Sequence, residues 1–231
     1  MLLGVVQGLT EFLPISSSAH LTLMPRMLGW ESTLLHSLTF DVALHGGTLV
    51  AVLVAFRREF AAMFAAWARH LVEGRPFAAG EGRMVWFLAL GTLPAAIAAL
   101  AGEAWFETVF RRPGWVALWL AAAGLLLGAA DRFFRGAREL AALTWVDVLV
   151  IGSAQALALM PGVSRSGITI AAGLMLGIRR PEAARFAFYL ALPAIAGAVA
   201  AKGGALAAAG PGVWAPTAAG TLAAALSGWL V

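Results

Sequence analysis

Gln7-Gly8-Leu9-Thr10-Glu11-Phe12-Leu13-Pro14-Ile15-Ser16-Ser17-Ser18-Ala19-His20 and, far downstream, Gln155-Ala156-Leu157-Ala158-Leu159-Met160-Pro161-Gly162-Val163-Ser164-Arg165-Ser166-Gly167 interrupt a chain that is otherwise of membrane grade. Together they carry a carboxylate, an imidazole, a guanidinium and five serine hydroxyls. An ionisable group at membrane depth costs about 2.5–3.5 kcal/mol on insertion scales, so such a cluster marks a site. Pro14 and Pro161 split the apolar stretches around them into helices of roughly ten to sixteen residues, too short for full spans. The expected form is a pair of re-entrant helical hairpins. Non-helical backbone at that depth is tolerated only where protein buries it or a wet cavity meets it. A cavity between the hairpins is therefore expected.

Around these breaks, 61% hydrophobic and only 12% charged residues lie outside the soluble range, where about a quarter of residues are charged. The fold class expected is all-α, a polytopic helical membrane protein. Apolar runs at residues 40–56, 84–101, 115–130, 186–201 and 216–231 read as five crossings. The net charge of +4 comes from arginines in short clusters between apolar runs, not on one amphipathic face, which argues against a nucleic-acid partner. The absence of cysteine excludes disulfides, thiolate catalysis and Cys-ligated zinc. Glu11 sits where a signal peptide would have its apolar core, so the N-terminal segment is expected to stay in the mature protein.

Arg57, Arg58, Arg69, Arg75 and Arg83 read as one cytoplasmic loop and Arg132, Arg135 and Arg138 as another. Arg111 and Arg112 are an exception, partly offset by Glu103 and Glu107. Arg179, Arg180 and Arg185 follow the second break. That hairpin is expected to enter from the cytoplasm and the first from outside, so that the two point at each other. Gly4 and Gln7 recur as Gly152 and Gln155, and, after a one-residue gap, Leu13-Pro14 before serines recurs as Met160-Pro161 before serines. This is a weak inverted-topology repeat within a single membrane domain, with approximate halves 1–143 and 144–231. Inverted repeats need odd numbers of crossings, so the second half is expected to lack its last helix.

Serines at each break cap a new helix whose free N–H groups and dipole make an anion seat: Ser16, Ser17 and Ser18 on one side, Ser164 and Ser166 on the other. Arg165 adds a bidentate fork suited to phosphate, and Gly162 and Gly167 let the backbone approach a ligand. The bland alternative is that the serines only cap and that Arg165 pairs structurally with Glu11. Gln7 and Glu11, four apart, share a helical face and can orient a water or a hard cation. His20 lies one turn beyond Ser17, as a general base or acid would. Asp41 and His45 form another pair four apart, which either borders the site or marks the membrane interface, with the interface slightly favoured. His36 and His70 read as solvated or headgroup residues. Most of the nine tryptophans, including Trp30, Trp105, Trp115, Trp145 and Trp214, read as interfacial anchors.

Both motifs resemble those of the bacterial undecaprenyl-diphosphate phosphatase family, also described as bacitracin-resistance proteins. The glutamine, three residues, glutamate signature at 7–11, the Leu-Pro-x-Ser-Ser stretch with its downstream His at 13–20, and Pro-Gly-x-Ser-Arg-Ser-Gly at 161–167 carry the resemblance. Residues 40–42 and 179–188 extend it. It implies hydrolysis of undecaprenyl diphosphate to the monophosphate and inorganic phosphate, with a divalent cation (Mg or Ca) and a homodimer in the bacterial plasma membrane, the site facing outward. By position it implies Glu11, Ser17, His20 and Arg165 as catalytic, with Gln7, Ser164, Ser166 and Thr169 in support and Glu11 as metal ligand. The nucleophile is either Ser17 or a water held by Glu11. The rival function is a transporter or flippase of an anionic polyprenyl lipid, since opposed broken helices are also transporter architecture. An inactive binding protein is a third reading.

Overall fold

A computed structural model describes the chain except residues 31, 33, 36, 110, 111 and 208–210, and the side chains of 38, 103–109, 205–207 and 211. His36, Arg111 and the side chains of Glu103, Trp105 and Glu107 thus lie outside the described residues. The fold is all-helical: the described residues hold no strand, only a bridge between Arg138 and Ile178. In order, the helices are α1 (Leu2–Phe12), α2 (Ser17–Met27), α3 (Leu38–Ala55), α4 (Arg57–Val72), α5 (Glu81–Val109), α6 (Pro113–Phe133), α7 (Trp145–Ala156), α8 (Arg165–Met175), α9 (Arg180–Ala207) and α10 (Pro211–Trp229).

Both breaks fall where the prolines are. Leu13 ends α1 in extended backbone, and the Ser16 hydroxyl accepts from the Ala19 N–H at 3.4 Å to start α2. After α7 and a 3-10 turn, Leu157–Leu159, the Ser164 hydroxyl accepts from the Gly167 N–H at 3.1 Å to start α8. Helices α2 and α8 are both 11 residues long and start 148 positions apart (165 − 17), the offset that relates Gly4 to Gly152 and Gln7 to Gln155. The second helix of each break thus starts at the same offset as the residues before the break. The one-residue gap read from the prolines is only a shift of Pro161 within its turn.

Each short first helix docks in the other half of the chain. Helix α1 packs on α10 and α7 packs on α5. Glycine permits both approaches: a Cβ on Gly4 would lie 2.1 Å from the Gly220 carbonyl oxygen, and one on Gly152 would lie 2.4 Å from that of Gly91. Backbone atoms cannot yield, so these positions admit no side chain.

Among the described residues three helices are long and apolar enough to cross a membrane, α5, α6 and α9. The run at 40–56 coincides with α3, which passes only together with α4, and the two are bent by 73°. The run at 216–231 lies within or beside α10, whose Gly, Thr and Trp content leaves it below a span's hydropathy. Helix α4 corrects the reading of residues 57–83 as one arginine loop. Its Phe60, Met63 and Ala66 are buried while Arg57, Arg58 and Arg69 stay exposed, a 3.6-residue stripe. Phe56 and Phe60 meet Tyr189 of α9 with ring centroids 5.3 and 5.6 Å apart, which fixes the bend.

The arginine-rich loop before α7 joins the exit of α8. The Arg138 N–H donates to the Gly177 carbonyl and the Arg179 N–H to the Arg138 carbonyl, each at 3.0 Å. The Arg138 side chain reaches Asp147 in the first turn of α7 at 2.5 Å and the Leu176 carbonyl at 2.9 Å. Burial would raise the Asp147 carboxyl, but the guanidinium and the Thr144 N–H and hydroxyl overcome it and hold it below the usual carboxylate range. Entry and exit of α7–α8 thus share one end of the molecule, compatible with a re-entrant hairpin.

Candidate functional site

The breaks of the two halves touch. The Gly162 N–H donates to the Ser18 hydroxyl at 3.4 Å, and the Ser166 hydroxyl to the Leu13 carbonyl at 3.2 Å. Within each break two serine hydroxyls are 3.2 Å apart, Ser16 with Ser18 and Ser164 with Ser166. The turns differ in one respect. In the second, the left-handed residue is Gly162 (φ 106°), whereas in the first it is Ser16 (φ 63°), the one non-glycine with positive φ among the described residues. That conformation costs an L-residue about 1–3 kcal/mol and persists only where surroundings impose it. Here the imposed turn delivers Ser17 to Glu11.

Glu11 is the hub. It is buried at 6% exposure, and its Oε2 accepts from Ser17 Oγ at 2.6 Å and Gln7 Nε2 at 3.0 Å. Its Oε1 accepts from Arg165 Nη2 at 2.7 Å, across 154 positions of sequence. His45 Nε2 stands 3.4 Å from Oε2. A backbone carbonyl only accepts, so the contact of His45 Nδ1 with the Asp41 carbonyl at 2.7 Å puts a proton on Nδ1 and aims Nε2 at the carboxylate. A buried carboxylate so surrounded by donors is stable as the anion.

This hub forms the polar end of a cavity of about 590 Å³. Glu11, Ser16, Ser17, Ser18, Ser164 and Arg165 line it, together with Asp41, His45 and Gln155. Most of the rest of its wall is apolar, with small residues of α5 and α9, among them Ala95, Ala96, Ala99, Gly197, Ala198 and Ala201, and with Lys202 beyond them. Small side chains on facing helices leave a slot that an unbranched or isoprenoid chain can fill.

The remaining candidates stand behind the lining. Gln7 is fully buried under Glu11, Gly162 and Gly167 both lie in the second break, the first on the Ser18 hydroxyl and the second on the Ser164 cap, and the Thr169 hydroxyl donates to the Arg165 and Ser166 carbonyls at 2.8 and 3.1 Å. Caps already use the Gly167 and Ala19 amides, so fewer N–H groups face a ligand than two open helix ends would offer. His20 is not among the lining residues: its Nδ1 is 2.8 Å from the Ser16 carbonyl oxygen. The imidazole beside the carboxylate is His45, which sequence reading placed at the interface. Its signal was the spacing of four from Asp41, but no local feature ties α3 to the first motif.

A resident divalent cation does not fit the donor set. Hard cations take six or more oxygen ligands, both Glu11 oxygens already accept from donors, and no group of three or more His, Asp or Glu positioned for a metal occurs among the described residues. Two buried carbonyl oxygens, Oε1 of Gln7 and of Gln155, lack a partner, but they are neutral.

Over residues 1–231 the chain matches the family described as Bacitracin resistance protein BacA. It is 45% identical over 230 residues to a protein of Hahella chejuensis named undecaprenyl-diphosphatase, covering 99% of this chain and 84% of that protein. Likewise, it is 48% identical over 233 residues to the undecaprenyl-diphosphatase of Elusimicrobium minutum, covering 100% of this chain and 84% of the relative. A third relative of the same name, from Nitrosococcus oceani, is 50% identical over 193 residues, 84% of this chain and 71% of that protein.

Proposed function

Because this chain belongs to the bacitracin resistance protein BacA family, we infer that it hydrolyses undecaprenyl diphosphate to undecaprenyl phosphate and inorganic phosphate, returning the lipid carrier that cell-wall synthesis uses. One observation carries the reading at the level of geometry. Ser17 from one break and Arg165 from the other meet on a single buried carboxylate, at the polar end of a cavity with apolar walls. The diphosphate belongs at the polar end and the first isoprenoid units in the slot between α5 and α9.

Arg165 has five N–H donors, so it keeps Glu11 with one and turns others to the phosphate oxygens, neutralising charge as the bridging P–O bond lengthens. Glu11, already accepting from Ser17, takes the hydroxyl proton as Ser17 Oγ attacks the terminal phosphorus. The P–O bond to the bridging oxygen breaks and lipid monophosphate leaves. Water then attacks the phosphoserine phosphorus, the P–O bond to Ser17 breaks, the proton held by Glu11 returns to Ser17 Oγ, and both protons of the water leave with the inorganic phosphate. In the alternative route Glu11 takes a proton from water, which attacks the terminal phosphorus directly. The 2.6 Å contact favours Ser17. His20 is proposed as a support of the Ser16 turn, through its ring nitrogen on the Ser16 carbonyl.

The cation implied by resemblance would come as the Mg or Ca complex of the diphosphate, since the protein offers it no cage of its own. Two opposed re-entrant hairpins in inverted repeats, a homodimer and an outward-facing site in the plasma membrane complete the proposal. Three apolar spans and the Arg138–Ile178 junction support a multi-pass protein with the second hairpin rooted at the arginine-rich end.

The test is phosphate release from a polyprenyl diphosphate by the purified protein, with Ser17→Ala and Arg165→Ala alongside. Release is expected from the wild type and near-complete loss in both variants. Substantial turnover by Ser17→Ala excludes the covalent route. No release by the wild type, with lipid movement in vesicles intact, makes the protein the transporter that opposed broken helices also suit.

A further inference from the structure

Between the last turn of α6 and the first of α9 lies a cleft of about 550 Å³. Arg132, Arg135 and Arg180 line it together with Asp131 and Phe134, and Leu174 of α8 lies beneath. We propose that this cleft binds the phosphate headgroup of an anionic phospholipid.

Charge is the first argument. Three guanidinium groups meet one carboxylate, and that carboxylate is taken, with Arg180 Nε on Asp131 Oδ1 at 2.5 Å. Other arginines nearby are matched: Arg138 by Asp147, Arg179 by Glu139 and Glu182, Arg185 by Glu182. Arg132 and Arg135 have no carboxylate within ion-pair reach among the described residues, and both line the cleft beside the paired Arg180. A rule that only places positive charge at one membrane face does not require convergence on a cavity. Guanidinium forks suit phosphate oxygens bidentately, and basic pockets between membrane helices hold lipid headgroups.

Shape and surroundings choose the lipid over a soluble phosphate. The cleft opens where the apolar span of α6 ends, so a headgroup seated there continues into acyl chains along that helix. Phe133 and Leu125, 77% and 76% exposed, offer the apolar surface, and the face of Gly128 is open, with nothing within 4 Å of a would-be Cβ. A phosphate held by Arg132, Arg135 and the free end of Arg180 would brace α6 to α9 over α8, the helix that carries Arg165.

Thermal unfolding of the full chain in neutral detergent tests this without reference to phosphatase activity. Phosphatidylglycerol should raise the wild-type midpoint by about 2–4 °C where phosphatidylcholine does not, because a ligand that binds only the folded state stabilises it. In Arg132→Gln/Arg135→Gln the shift should fall by at least half, with the midpoint in phosphatidylcholine and phosphate release kept near wild type. Arg57→Gln/Arg58→Gln, which removes the same charge from α4, should keep the full shift. No phosphatidylglycerol shift in the wild type overturns the site, as does an equal shift in the cleft variant or an equal loss in the α4 variant. A matching shift from inorganic phosphate alone overturns the lipid assignment.

Discussion

Arg165 answers to Glu11 and to a phosphate at once, and two substitutions separate those duties. Arg165→Ala is expected to lower kcat by about 10²–10³-fold, the usual effect of removing a donor aimed at developing charge. It also takes one cationic partner from a buried carboxylate, a change that costs about 3–5 kcal/mol where no other partner compensates; Ser17, Gln7 and His45 make the loss smaller here. Arg165→Lys keeps the charge without the fork, so its melting temperature should stay near wild type while kcat still falls. Stability and turnover moving together in both variants would reduce the contact to a structural ion pair. His45 bears on the same carboxylate. His45→Gln, measured as phosphate release at saturating and limiting substrate, should lower kcat about tenfold with KM little changed, because Glu11 loses one of the groups that fix its orientation while the diphosphate contacts remain. An unchanged kcat would return His45 to the interfacial role that its sequence position suggested.

Helix pairs explain how short elements survive at membrane depth. Helices α1 and α7 are too short to span, and each is held by a glycine-mediated contact with a longer helix of the other half. Interfaces of this kind gain from close backbone approach, since lipid tails are as apolar as the side chains they replace. Gly4→Ala and Gly152→Ala place a methyl against backbone oxygens and should each cost about 1–3 kcal/mol, read as a lower melting temperature in detergent. Gly46→Ala, which meets open space, is the control expected to leave it unchanged. A Gly4→Ala protein as stable as this control would mean that the α1–α10 approach is looser than the structure shows. Helix α4 belongs to this scale as well. Its apolar stripe was present in residues 57–72, but dense arginine made the segment read as a loop, and only the aromatic contacts with Tyr189 show which face is buried.

For the molecule as a whole, the decisive relation is that each break completes the other. A Cβ on Gly167 would stand 3.5 Å from the Cβ of Pro14, within the range of a disulfide, and the chain has no cysteine of its own to compete. Pro14→Cys/Gly167→Cys is therefore expected to oxidise to an internal bridge, seen as two fragments held together on a non-reducing gel after proteolysis between the halves. Failure to bridge under oxidation would deny that the two breaks meet. The residues themselves already determined much of this: helical class, membrane character, the two breaks and the choice of Glu11, Ser17 and Arg165 as candidates follow from apolar run lengths, prolines, capping serines and buried charge, which act within a turn or two of chain. Distance in sequence hid the rest. That His45 rather than His20 faces the carboxylate, that α1 docks on α10 and α7 on α5, and that Ser16 takes the left-handed turn depend on contacts between segments as far as 222 residues apart. No local pattern encodes such contacts, because packing shape and the satisfaction of buried polar groups are decided only once all the helices are together.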